Sequence, residues 1–217
     1  MELRIAQLHL DTSKLMGVNF IPVGKIPANK NKQLELNKLC DDHDAMCPHC
    51  TNAAGHTNTV FGTGDPDASV MFIGEAPGME EDLQGVPFVG AAGKKLNQII
   101  EAMGLCRSDV YIANILKSRP PENRTPTQDE ITSCGPYLKS QIDIVAPSVI
   151  VTLGSPATKY ILDTTAGIMK MRGVWGAYEG IPVMPTFHPA YLLRNYTTET
   201  RTQVWSDMKQ VVEHLSL

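Results

Sequence analysis

Residues 70–103, VMFIGEAPGMEEDLQGVPFVGAAGKKLNQIIEAM, decide the fold class. They open with the apolar run Val70, Met71, Phe72 and Ile73, too short for a helix and suited to a buried strand. Gly74, Pro77 and Gly78 end that run in a tight turn. An acidic loop follows, with Glu75, Glu80, Glu81 and Asp82. Beyond Phe88 and Gly90, Leu96, Ile99, Ile100 and Met103 recur at i, i+3, i+4 and i+7, the spacing of one helix face. A carboxylate, Glu75, thus stands at the carboxyl end of a strand, where open α/β sheets hold their ligands. A solvated loop has the same outline, so this order alone does not establish a site.

Working outward, residues 110–113 read as a second strand with Asn114 at its end. RPPENRTP is a rigid, proline-rich loop carrying Arg119 and Arg124. Thr127 and Glu130 form a capping box for a helix with Ile131, Cys134, Leu138, Ile142 and Val145 on its apolar face. Pro136 should bend or interrupt it. Residues 149–153, VIVTL, form a β-branched run without alternation, as in a sheet covered on both faces. Gly154-Ser155-Pro156 starts a short helix, and residues 172–180 suggest a hairpin. Residues 181–187 make a fourth main strand, which Pro182 and Pro185 mark as an edge. HPAYLLRN, 188–195, follows as a loop, and Val204, Met208, Val211, Val212 and Leu215 line a final helix. Before all this, a helix from about Asn31 carries Leu34, Leu36 and Leu39 towards Cys40. Residues 1–31 read as an irregular extension packed through Phe20 and Ile21. Strands alternating with helices predict one α/β domain over 32–217, three layers α/β/α around a central, mostly parallel four-stranded sheet.

Composition agrees with a soluble globular chain: 217 residues, 42% hydrophobic and 19% charged. No apolar run approaches the roughly 20 residues of a membrane span, and no signal peptide is expected from MELRIAQLHLDTSK. The expectation is a monomeric, cytoplasmic protein, nucleoid-associated if prokaryotic. A net charge of −4 argues against non-specific coating of nucleic acid, while a local basic face suffices for specific contact. Five cysteines in a chain without an export signal point to reduced thiols or metal ligands rather than a disulfide framework.

Cys47-Pro48-His49-Cys50 has the C-x-x-C spacing shared by zinc sites, redox pairs and iron–sulfur clusters. The redox reading needs a βαβ helix start, which is absent, and a zinc site needs a second close pair, which does not follow. Two distant ligands are therefore required, and Cys134 is one candidate.

The words GEAPGMEED and GVPFVGAAGKKL, then IANILKSRPPENRTPTQDE, then TFHPAYLLRN, resemble in order the motifs of the family-four, iron–sulfur uracil-DNA glycosylases. The resemblance spans roughly residues 36–215. It implies a [4Fe–4S] cluster whose third and fourth cysteines stand directly after the lysine of the second block and sixteen residues on. Here those positions are Ser118 and Cys134, so Cys47, Cys50 and Cys134 fit and Ser118 replaces the expected ligand. Four arrangements remain open: weak ligation by Ser118, a substitute among Cys40, His43, His49, His56 and Cys106, a three-iron or labile cluster, or no cluster. A Cys→Ser substitution introduced into the chain would read the same way.

For the site, the resemblance implies catalytic Glu75 and His188, with Gly74, Ala76, Glu81, Phe88, Asn114 and Asn123 binding the base. Glu75 would position or activate water, and His188 would hydrogen-bond the departing uracil anion. Phe88 would stack on the flipped base. Asn114 would accept from N3–H and donate to O4, the pattern that cytosine inverts. Glu81 would limit the room beside the base. Leu192 or Leu193 would wedge into the stack of uracil-containing DNA, single- or double-stranded, with Arg194, Lys117, Arg119 and Arg124 available to phosphates. The reading is a monofunctional glycosylase that starts base excision repair. A non-catalytic sensor of uracil-DNA and a glycosylase for another deaminated base such as hypoxanthine are its alternatives. The basic insertion by which a related subfamily forms a covalent DNA adduct is missing between Lys117 and Arg124.

Overall fold

The computed structural model describes residues 30–50 and 55–215. The expected extension lies outside these residues, including Phe20 and Ile21, except that Lys30 and Asn31 already belong to the first helix, α1 (Lys30–Met46).

The strands are β1 (Thr63–Gly64), β2 (Val70–Gly74), β3 (Tyr111–Asn114), β4 (Val149–Leu153), β5 (Gly176–Tyr178) and β6 (Ile181–Thr186). They form one sheet in the order β1-β3-β2-β4-β6-β5. The four central strands are parallel, as expected, but the sheet has six strands because β1 and β5 add short antiparallel edges. β6 is therefore not the edge that its prolines suggest. Pro182 and Pro185 stand three residues apart, so their missing N–H groups face opposite neighbours and each ladder loses one donor. The hairpin expected within 172–180 instead spans 176–186: β5 pairs with the main strand β6, and Glu179 and Gly180, with φ of 48° and 87°, close it.

Both faces of the sheet are covered. Met71, Ile73, Tyr111, Ala113 and Ile150 pack on one side with Leu36 of α1 and with Leu138 and Ile142 of the long helix α4 (Gln128–Val145). Val70, Phe72, Ile112, Val149 and Val151 pack on the other. There they meet Leu96 and Ile100 of α3 (Ala91–Ala102) and Val204 and Met208 of α8 (Thr198–Leu215). Alternate residues of β2 serve opposite faces, which is why its sequence is apolar throughout. α4 runs unbroken past Pro136, so the expected interruption does not occur. Short helices α2 (Met79–Gln84), α5 (Ser155–Ile161), α6 (Ile168–Met171) and α7 (Pro189–Arg194) complete the domain. The segment expected to be a loop after β6 is α7, capped by His188 with Pro189 at its first position.

Candidate active site and metal centre

β2 lies between β3 and β4, so the chain leaves it on one side and returns on the other, and a crevice opens at the carboxyl ends. An open cleft of about 560 Å³ occupies this place. Glu75, Ala76, Glu81, Phe88, Asn114, Asn123, His188 and Arg194 all line it. These residues, named from the sequence, come from four separate stretches, 75–88, 114, 123 and 188–194, that the fold brings together.

Gly74 and Asn114 are directly paired across β2 and β3. A Cβ on Gly74 would lie 2.3 Å from Asn114 Oδ1 and 2.6 Å from Phe88 Cζ, so glycine here lets the amide and the ring approach the strand. Asn114 is 1% exposed, and its Oδ1 has no hydrogen-bond partner among the described residues. A buried, unsatisfied acceptor costs about 1–3 kcal/mol. Facing a ligand cleft, it is set to receive a donor from outside the protein.

Phe88 is buried with φ of +52°, a strained conformation for an aromatic residue. Arg107 holds it there. One guanidinium nitrogen donates to Phe88 O at 3.1 Å and to Asn97 Oδ1 at 2.9 Å, while the other donates to Pro87 O. Glu81 secures the same loop, accepting from Val89 N and Gly90 N, both at 2.9 Å, and from Gly78 N at 3.2 Å. Arg107 was not named from sequence, because nothing near Cys106-Arg107-Ser108 signals a contact nineteen residues back.

The Phe88 and His188 rings lie 5.6 Å apart. His188 Nδ1 accepts from Ala190 N at 3.1 Å, which fixes the neutral tautomer with its proton on Nε2. Burial, aided by Arg194, pushes its pKa down to about 4. The ring is therefore a neutral hydrogen-bond donor near pH 7. Burial raises the pKa of Glu75, whose carboxylate has no hydrogen-bond partner among the described residues.

Four named side chains sit differently from the expectation. Lys117 is wholly buried, with Nζ donating to Asn114 O at 2.7 Å and to Gln141 Oε1, so it cannot reach a phosphate. Leu192 is 3% exposed and packs in the core, whereas Leu193 is 44% exposed. Drawing Leu192 out of the core would leave a cavity, whereas Leu193 is already at the surface. Arg119 donates to Asn123 Oδ1 at 2.7 Å, and Arg124 pairs in a fork with Glu130 at 2.8 and 2.7 Å.

On the opposite side of Lys117, Cys47, Cys50, Cys134 and His43 converge, with one donor atom from each within 4.8 Å of all the others. Cys50 Sγ lies 3.8 Å from Cys134 Sγ. Hydrogen bonds from Cys134, His43 and Ser118 push the Cys50 thiol down to about 3, and Cys134 lowers Cys47 to about 6. Thiolates are the form that metals bind. Cys134, hydrogen-bonded to Cys47 and Cys50 and buried, is pushed up instead, so metal binding would displace its proton; three sulfurs and one imidazole suit zinc and iron–sulfur ligation alike. Ser118 Oγ stands beside this group, 3.3 Å from Cys50 Sγ and 3.1 Å from His49 Nε2. Cys106 is exposed and does not join it.

A sheet whose four central strands are parallel thus carries at its switch point an open cleft lined by a carboxylate, an amide, an aromatic ring and a neutral imidazole, a set suited to holding a flat, hydrogen-bonding ligand and hydrolysing a bond to it. The family model described as "Uracil DNA glycosylase superfamily" matches residues 61–209. The "Type-4 uracil-DNA glycosylase" of Thermotoga maritima is 43% identical over 180 residues, 81% of this chain and 93% of its own. That of Sulfurisphaera tokodaii is 49% identical over 176 residues, 77% of this chain and 79% of its own. That of Saccharolobus solfataricus is 43% identical over 187 residues, 82% of this chain and 86% of its own. The chain belongs to the uracil-DNA glycosylase superfamily, and to its Type-4 family within it.

Proposed function

We propose that this chain is a monofunctional uracil-DNA glycosylase that draws uracil out of DNA and hydrolyses its N-glycosidic bond, the first step of base excision repair. The observation that carries this reading is the partnerless Asn114 Oδ1, buried beside Phe88 at the wall of the cleft. Uracil N3–H supplies the missing donor, whereas cytosine presents an acceptor there and leaves two acceptors face to face.

Bond breaking places positive charge on the sugar and negative charge on the base. His188 Nε2–H donates to the base oxygen as that charge grows, and its neutrality suits it to stabilise an anion without giving up the proton. The Glu75 carboxylate, ionised, orients a water towards C1′ and takes its proton as the new C–O bond forms. Phe88 stacks on the base, and Ala76 and Asn123 bound the cleft. Glu81 acts by fixing the loop that carries Phe88. Leu193 fills the gap that the base leaves in the stack, and Arg194, which lines the cleft, offers a cation to a phosphate.

The family cofactor reading is a [4Fe–4S] cluster, for which Cys47, Cys50 and Cys134 supply three thiolates. Such a group would act structurally here, joining α1 to α4, since hydrolysis moves no electrons. Among the described residues no helix is long and apolar enough to cross a membrane. We read the protein as a cytoplasmic monomer, nucleoid-associated if prokaryotic, with 32–217 as the glycosylase domain and 1–31 as an extension.

The test is strand scission at alkali-labile sites in oligonucleotides holding one uracil, hypoxanthine or thymine. Hypoxanthine presents the same donor–acceptor pair as uracil on a larger ring, so it separates pocket size from edge reading. Breaks at uracil alone support the proposal. Faster breaks at hypoxanthine would reassign the substrate, and tight binding without breaks would make the chain a sensor.

A further inference from the structure

We propose that His43, rather than Ser118, is the fourth ligand of the metal centre, so that a thiophilic metal is held by three cysteines and one imidazole. The assignment goes beyond the glycosylase reading and does not depend on it.

The ligand geometry comes from the chain itself. His43 and Cys47 stand four residues apart at the end of α1, which puts them on one side of the chain, and Cys47 N donates to His43 O at 2.9 Å. His43 Nε2 lies 3.2 Å from Cys50 Sγ and 3.8 Å from Cys134 Sγ. Around one tetrahedral ion, with metal–sulfur near 2.3 Å and metal–nitrogen near 2.0 Å, neighbouring ligand atoms lie about 3.5–3.8 Å apart. The His43 contacts, 3.2 and 3.8 Å, and the Cys50–Cys134 contact, 3.8 Å, come near this size, and all four ligand atoms lie within 4.8 Å of one another.

The second ring nitrogen strengthens the assignment. His43 Nδ1 lies 2.7 Å from Asp44 Oδ1, so Nδ1–H donates to the carboxylate and the Nε2 lone pair faces the thiols. A carboxylate behind the ring is the usual partner of a metal-bound histidine. The ring is fully buried and meets Tyr137 edge-on at 4.8 Å between centroids, so its orientation is fixed.

Ser118 has other work. Its hydroxyl sits between Cys50 Sγ and His49 Nε2, at hydrogen-bonding distance from both. To ligate, it would have to lose a proton far less acidic than that of a thiol. As an alcohol it can instead donate to the Cys50 thiolate and support that ligand from behind.

Zinc and iron–sulfur share this donor set, and one experiment separates them from each other and from Ser118 ligation. Wild type, His43→Ala, His43→Cys and Ser118→Ala are purified without oxygen, and zinc, iron and sulfide per chain are measured with visible absorption. We expect Ser118→Ala to hold the wild-type metal content and His43→Ala to lose most of it. His43→Cys should retain metal with altered absorption, read directly for iron or after Co²⁺ replacement for zinc. A broad visible band with sulfide marks a cluster, and a colourless protein with zinc marks one ion. Either supports the assignment if it follows His43. Full metal content in His43→Ala, loss confined to Ser118→Ala, unchanged absorption in His43→Cys, or a wild-type chain that takes up neither metal would overturn it.

Discussion

Lys117 Nζ lies 2.7 Å from the backbone carbonyl of Asn114, three residues earlier, and the lysine is wholly buried. The same side chain reaches Gln141 on α4, and its own backbone N–H donates to Cys134 Sγ at 3.2 Å. The cysteine cluster and the Asn114 backbone thus share one residue. Lys117→Met should leave the Asn114 carbonyl and the Gln141 amide oxygen buried without a donor, at a cost of about 1–3 kcal/mol each. Denaturant unfolding should show that loss, and kcat should fall in the variant that remains folded. Unchanged stability would mean that these two acceptors find other donors.

Arg107 should act through Phe88. In Arg107→Met the carbonyls of Pro87 and Phe88 lose their donors, and the strained backbone at Phe88 is free to relax. We expect kcat/KM on uracil-DNA to fall by about tenfold or more, because strain of about 1–3 kcal/mol is then released away from the productive geometry. Affinity for DNA with an abasic site should barely change, since that ligand has no base to stack. Equal losses in both would assign Arg107 to general stability.

Leu192 and Leu193 should separate cleanly. Leu192→Ala removes a core side chain and should cost about 2–5 kcal/mol of stability. Leu193→Ala should leave stability within about 0.5 kcal/mol of wild type. It should slow excision from double-stranded DNA more than from single strands, where no stack has to be filled. The reverse pattern would exchange their roles.

The pH dependence follows from two opposite shifts. His188 titrates near 4 in the folded protein, against about 6.5 when unfolded. The unfolded chain therefore binds more protons between these values, and stability conferred by the neutral ring is complete above pH 6.5 and lost as pH falls towards 4. Discounted for partial exposure, the loss is on the order of 2 kcal/mol, and His188→Ala should flatten that part of the stability curve. Glu75 has a raised pKa, so its ionised form disappears at a higher pH than for an ordinary carboxylate. Excision should fall on the acid side through that raised value while His188 is still neutral. A single-turnover rate that stays flat down to pH 4.5, the ordinary value for this carboxyl, would remove Glu75 from the base role.

The four parallel strands were legible because each is a short apolar run bounded by Gly, Pro or Asn, and the site followed from what stands at their ends. The edge strand β5, Gly-Ala-Tyr, carries no pattern of its own and exists through pairing with β6. Helix α7 spans six residues, too few for periodicity to show, and its signal was the His188-Pro189 cap. Lys117 reads as a surface cation in any local window; only the fold, which brings Gln141 over it, shows it buried. Spacing leaves Cys40, His49, His56 and Cys106 as candidates for the fourth ligand beside His43 and Ser118; the choice depends on where the end of α1 meets α4, which spacing along the chain does not encode.

The most direct test of the central claim is the single-turnover rate of uracil excision by Asn114→Ala and Glu75→Ala, measured beside the affinity of each for uracil-DNA. We predict that both remain folded and bind DNA within about tenfold of wild type, while excision falls by at least about 100-fold in each. Excision at the wild-type rate in Asn114→Ala would contradict the account, because the partnerless amide oxygen would then not be what reads the base.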